Sequence, residues 1–142
     1  MTTRAQMSES AEHKAGHTEL MRAALEGQTE TVKSLLKSRA DVNGRDNEGR
    51  TALMFAVTNL RTGCAKVLLD HGADVNVRAN DGSTALMLAA SSGDRETIRD
   101  LLGNGADVSA RFTETGKTAL MLAKEKGYTD IVRLLEAAGA KQ

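Results

Sequence analysis

Apolar residues recur along this chain as a block that repeats. Thr-Ala-Leu-Met begins at Thr51, Thr84 and Thr118, and Thr-Glu-Leu-Met at Thr18, at intervals of 33, 33 and 34 residues. Counted from these threonines, Leu holds the second following position (Leu20, Leu53, Leu86, Leu120) and Ala the fifth (Ala23, Ala56, Ala89, Ala123). Leu returns at the seventeenth (Leu35, Leu68, Leu101, Leu135) and Ala at the twenty-second (Ala40, Ala73, Ala106, Ala140). A fixed period of this length is the signature of stacked repeats.

Each copy predicts two short helices. In the third, "TALMLAASSG" opens on Thr84, whose hydroxyl suits an N-cap, and ends at Gly93, a residue at ease with positive φ. "DRETIRDLLGNG" then spaces Ile98, Leu101 and Leu102 as one helical face, beginning at Asp94 or Arg95 and ending at Gly103 or Gly105. Both helices fall short of the ~12 residues an isolated helix needs, so contact with neighbouring copies must stabilise them.

The period, the Gly-x-Thr-Ala-Leu-Met-x-Ala opening and the "LLDHGADVN" ending resemble the ankyrin-repeat family over roughly residues 13–140. The resemblance implies an all-α solenoid: a β-turn finger and an antiparallel helix pair per copy, stacked into a curved array. The expected organisation is an N-terminal tail or cap at 1–12 and a repeat domain at 13–142. Its copies lie at about 13–45, 46–78, 79–111 and 112–142.

The chain departs from the family pattern at several places. It contains no Pro, so Ala stands where Thr-Pro-Leu-His repeats have Pro. Met21, Met54, Met87 and Met121 replace the family's His; they are expected to fill that space by apolar contact and to make none of its hydrogen bonds. One extra residue in "RFTETG" should enlarge the last finger. Leu60 stands where the other copies have Gly27, Gly93 and Gly127. It either keeps their left-handed conformation under strain or fills space left by the small Cys64 and Ala65. Glu136 replaces the leucines at 36, 69 and 102, which makes the final outer face polar, as a terminal repeat requires.

Composition narrows the function. Lys plus Arg and Asp plus Glu number 19 each, so no basic surface offers itself to nucleic acid. Aromatics make up 2% of the chain, too few for stacking platforms. No apolar run approaches the ~18 residues of a membrane span, and "MTTRAQMSESAEHK" lacks a signal-peptide core. A lone cysteine, Cys64, forms no internal disulfide. A soluble, monomeric, cytoplasmic protein is expected.

Candidate chemistry fails test by test. "TGKT" at 115–118 imitates the end of a phosphate loop, but Arg111 stands where that loop needs its first Gly. Lys117 occupies the free position of a repeated turn. Ten of the thirteen glycines belong to three repeated turn slots, so backbone geometry accounts for them. His13 and His17 have a metal-compatible spacing but no further ligands, and His71 sits in a surface slot. Cys64 falls on an inner helix face without a neighbouring base, which marks an inert thiol. Asn43 and Asn76 match a hydroxylation context known in the family, although a loop-bracing role is simpler. No catalytic residue, metal or cofactor is expected.

What varies within the fixed frame is the candidate site. The resemblance implies that fingers and first-helix ends line a concave face that binds partner proteins. Those positions are Asn47, Glu48, Arg50, Thr58 and Asn59 in the second copy, and Asn80, Asp81, Ser83, Ser91 and Ser92 in the third. In the fourth they are Glu114, Thr115, Lys117, Glu125 and Lys126. Arg50 and Phe55 are the nearby anchors, with Phe55 also a candidate core residue. The expected function is a non-catalytic interaction module or scaffold for an unidentified protein partner. The alternative is a self-associating regulatory protein.

Overall fold

A computed structural model describes residues 19–141. The tail at 1–12 and the His13–His17 pair lie outside the described residues. All regular structure within them is helical: α1 (residues 19–26), α2 (Thr29–Lys37), α3 (Ala52–Thr58), α4 (Thr62–Asp70), α5 (Ala85–Ser92), α6 (Arg95–Gly103), α7 (Ala119–Lys126) and α8 (Thr129–Ala137). The helices form two layers. First helices α3, α5 and α7 contact one another in order, and second helices α2, α4, α6 and α8 do likewise behind them.

The repeated threonines start the first helices as expected. Thr51, Thr84 and Thr118 are extended, and their hydroxyls accept from the amides of Met54, Met87 and Met121 at 3.4, 3.3 and 3.2 Å. The small Ala at the fifth position is buried in every copy, which lets helices approach closely. Leu20, Leu53, Leu86 and Leu120 stack beside it, and Leu68, Leu101 and Leu135 complete the core from the second layer.

The methionines occupy the core side of the first helices, with Met21, Met54 and Met87 buried and Met121 half-buried. One expectation needs correction here. The Met87 sulfur accepts from the Thr84 amide at 3.3 Å, so Met makes one weak polar bond to the turn where none was expected.

Leu60 keeps the left-handed conformation, at φ 58°, as does Arg39 at φ 72° in the equivalent slot of the Gly-Ala-Asp turn. The space-filling alternative for Leu60 is wrong. The residue is 55% exposed. Cys64 is buried, with its sulfur 3.6 Å from the Thr29 hydroxyl, as an inert thiol should be. Glu136 is exposed on α8, whereas Leu69 is buried at the same slot of α4.

Candidate functional site

Between copies the chain turns back as a finger, and in two of the fingers one acidic side chain organises it. Asp46 accepts from the amides of Glu48 and Arg50 at 2.9 and 2.8 Å, and its second oxygen takes the Arg50 Nε at 2.9 Å. Asp81 does the same job in the next finger, accepting from the Ser83 amide at 2.9 Å and its hydroxyl at 2.6 Å. Both carboxyls lie below the usual range. For Asp46, burial opposes the shift and hydrogen bonds with Arg50 outweigh it; for Asp81, the Ser83 hydroxyl is the leading cause. The fingers also bond to one another. The Asn80 amide donates to the Glu48 carbonyl, and the Thr113 amide to the Asp81 carbonyl, each at 2.9 Å. The last finger is wider, as its extra residue requires. It closes from Phe112 to Lys117, whereas the earlier fingers close from Asp46 to Arg50 and from Ala79 to Ser83.

Two rows of side chains strap the copies together. Asn43 donates to the Gly72 carbonyl at 3.4 Å and accepts from the Asp74 amide at 2.8 Å. Asn76 repeats this on Gly105 and Asp107, at 3.1 and 2.8 Å. Both asparagines therefore brace loops. In the second row, Arg45 reaches the Arg78 carbonyl and Arg78 the Arg111 carbonyl, each at 2.5 Å. The arginine row went unread in the sequence, although its recurrence one period apart was a usable signal.

Fingers and first helices together form a groove of about 490 Å³. Seven of the sequence-derived candidates line it: Glu48, Arg50, Thr58, Asn59, Asn80, Asp81 and Ser83. Its floor is apolar: Leu25, Met54, Phe55, Ala79 and Leu88. Phe55 is half-buried on that floor, with the Arg50 guanidinium 4.9 Å above its ring, so it is a surface aromatic as well as a core neighbour. A second hollow of about 350 Å³ gathers Asn80, Asp81, Glu114, Thr115 and Lys117 around Phe112 and Thr113.

The remaining candidates fall outside both hollows. Asn47 presents its carbonyl to the Asn80 side chain at 3.1 Å. Ser91 and Ser92 are half-buried at the end of α5, and Lys126 is exposed at the end of α7. Glu125 pairs with Lys117 at 2.7 Å, which removes the last resemblance of "GKT" to a phosphate site. Ser83 needs correction as an exposed contact. It is 4% exposed, and its short side chain is spent on holding Asp81.

The groove also uses residues missing from the candidate set. Leu88 is half-buried at the same position of its copy as the anchor Phe55, and Leu25 is 38% exposed on the same lining. In the sequence Leu88 and Leu122 stand at the unassigned position of Gly-x-Thr-Ala-Leu-Met-x-Ala. Only stacking shows that one side of each stays open.

Among the described residues no group of three or more His, Cys, Asp or Glu is placed to hold a metal, and no helix is long and apolar enough to cross a membrane. Helix pairs joined by hydrogen-bonded fingers, repeated in register, define a repeat solenoid. A family model for ankyrin repeats, three copies long, matches residues 4–79 and again residues 77–142. The chain belongs to the ankyrin-repeat family. Proteins of this family are generally non-catalytic modules for protein–protein interaction. No curated protein matches the chain.

Proposed function

We propose that this chain is a non-catalytic binding module or scaffold, acting as a cytoplasmic monomer, whose protein partner seats on the concave face formed by fingers and first helices. One observation carries the reading. The variable polar positions of two successive copies converge on a single groove whose floor is apolar and open. Polar residues alone hold little affinity; a central apolar anchor ringed by polar groups is how interfaces concentrate it. Phe55, Leu88 and Leu25 supply that anchor, and Glu48, Asn59, Asn80 and Asp81 the rim. The straps between copies hold the surface in shape before binding, which lowers the entropy lost on association.

The test is affinity capture from native lysate with three baits: wild type, a Leu25→Asp/Phe55→Ala variant, and a variant with Lys33, Lys37 and Arg99 changed to Ala on the second helices. A partner retained by the wild type and the third bait should bind the second at least tenfold more weakly, or about 1.4 kcal/mol. Loss from the third bait alone would move the site to the second helices. Association of the chain with itself, seen as concentration-dependent gel filtration, would favour the regulatory alternative.

A further inference from the structure

The charges around the groove are not balanced one for one, and the imbalance has an address. Among the described residues Arg50 is its one basic lining residue. Its guanidinium is already committed to Asp46 at 2.9 Å, to Glu48 at 3.5 Å and to the face of Phe55. In the adjoining hollow the basic residue is Lys117, and Glu125 holds it at 2.7 Å. Asp81 lines both hollows and, among the described residues, has no cation within ion-pair distance.

Asp81 is also fixed in place. Its main-chain carbonyl accepts from Thr113, and one carboxylate oxygen accepts twice from Ser83. The other oxygen makes no protein hydrogen bond among those described. The Ser83 hydroxyl above all, with backbone amides and the more distant charge of Arg50, holds the carboxyl below the ordinary aspartate value. A partner covering it with apolar or acidic surface would strip water from an unpaired charge, which is costly.

Building on the binding face proposed above, we infer that the partner's docking segment is a linear peptide with a Lys or Arg flanked by apolar side chains. The cation meets Asp81, and the apolar side chains lie on Phe55 and Leu88. The geometry suits this arrangement, because the carboxylate stands where the apolar groove meets the Phe112 hollow.

Panning a phage-displayed random peptide library against the full chain tests this. Selected peptides should share a basic residue beside apolar ones and lose binding to Phe55→Ala or, independently, to Leu25→Asp. Asp81→Asn retains an oxygen for Ser83, so the finger should persist with an unchanged circular dichroism spectrum and only a small fall in melting temperature. The same peptides should nevertheless bind Asp81→Asn at least tenfold more weakly, with a shallower salt dependence. Asp81→Arg should reject them and accept versions in which Glu replaces the basic residue. If groove-dependent peptides lack a basic residue, or bind Asp81→Asn as well as wild type, the inference fails while the groove stands. If no peptide depends on Phe55 or Leu25, both readings fail. A groove occupied by a second copy of the chain would appear as dimers abolished by Leu25→Asp, and would overturn the peptide assignment.

Discussion

The turns joining the helix pairs of the second and third copies trace the same path with different residues. In the third, Gly93 sits at φ 80° and the Asp94 amide returns to the Ala89 carbonyl at 3.4 Å. In the second, Leu60 sits at φ 58° and the Arg61 amide returns to the Ala56 carbonyl at 2.8 Å. The first and fourth copies make the same bond, from Gln28 to Ala23 and from Tyr128 to Ala123. That return bond satisfies a helix-end carbonyl and requires a left-handed residue before it, whatever its side chain. Leucine there is strained by ~1–2 kcal/mol, and an exposed side chain recovers little of it by burial.

Neighbouring copies oppose a side chain at two of the other three turns, whereas Gly127 in the last copy faces open space. A Cβ on Gly27 would meet the Arg61 side chain at 2.8 Å, and one on Gly93 would meet the Tyr128 ring at 2.9 Å. For Leu60, the residue of the next copy that corresponds to Arg61 and Tyr128 is Asp94. It is short, and its carboxylate is engaged elsewhere, accepting from the Thr62 hydroxyl at 2.8 Å and from the Thr97 hydroxyl and amide at 2.5 and 3.2 Å. A small residue in the next copy thus accompanies the large one at this turn.

Exchanging the residues is the strongest way to break the comparison. Gly93→Leu adds backbone strain and a collision with Tyr128, an expected loss of roughly 2–4 kcal/mol in urea unfolding. Tyr128→Asp in the same chain should recover part of it. A loss under about 1 kcal/mol would show that the two turns are interchangeable and that the neighbour does not matter.

Asp94 comes next in size. Asp94→Ala removes the cap of α6 and its bond to Thr62, at a cost of about 1–2 kcal/mol at neutral pH. Burial pushes this carboxyl up, but the bonds from Thr97 and Thr62 outweigh it and leave the value lowered. Its contribution is therefore complete above the ordinary aspartate value of 3.8 and fades as pH falls through the lower folded value. Acid unfolding of Asp94→Ala should show a weaker pH dependence than wild type. Some dependence should remain, since Asp46, Asp81 and Asp107 are lowered too. Identical acid profiles would remove Asp94 from the account.

Leu60→Gly should have the smallest effect, and the opposite sign. Relief of strain, less the greater freedom of Gly in the unfolded chain, leaves a gain of about 0.5–1 kcal/mol and a slightly higher melting temperature. A fall would mean that the exposed leucine packs more productively than its position indicates.

The frame of the fold was legible because each slot is written several times. Threonine caps, buried alanines and positive-φ glycines recur at one interval, and recurrence separates geometry from accident. Leu60 and Arg39 were detectable as breaks in that recurrence, though only Leu60 was read as a backbone problem. The groove was half legible. Its rim varies between copies and stands out against the frame, while Phe55 and Leu88 resemble core because each is half-buried. Ser83 misled for the converse reason, as a variable polar residue consumed by its own finger. Pairings across copies, such as Tyr128 over Gly93, left no mark within any single repeat.

The asparagine straps stop one joint before the described chain does. At the third position of that row stands Ser109, whose hydroxyl turns back to Asp107 at 2.7 Å and does not reach the next turn. Among the described residues, the turn around Gly139 and Ala140 makes its hydrogen bonds to its own helix, at Glu136 and Leu135. The turn after α8 therefore lacks a tie that the turns after α4 and α6 possess, and faster amide hydrogen exchange in α8 than in α4 or α6 is the expected consequence.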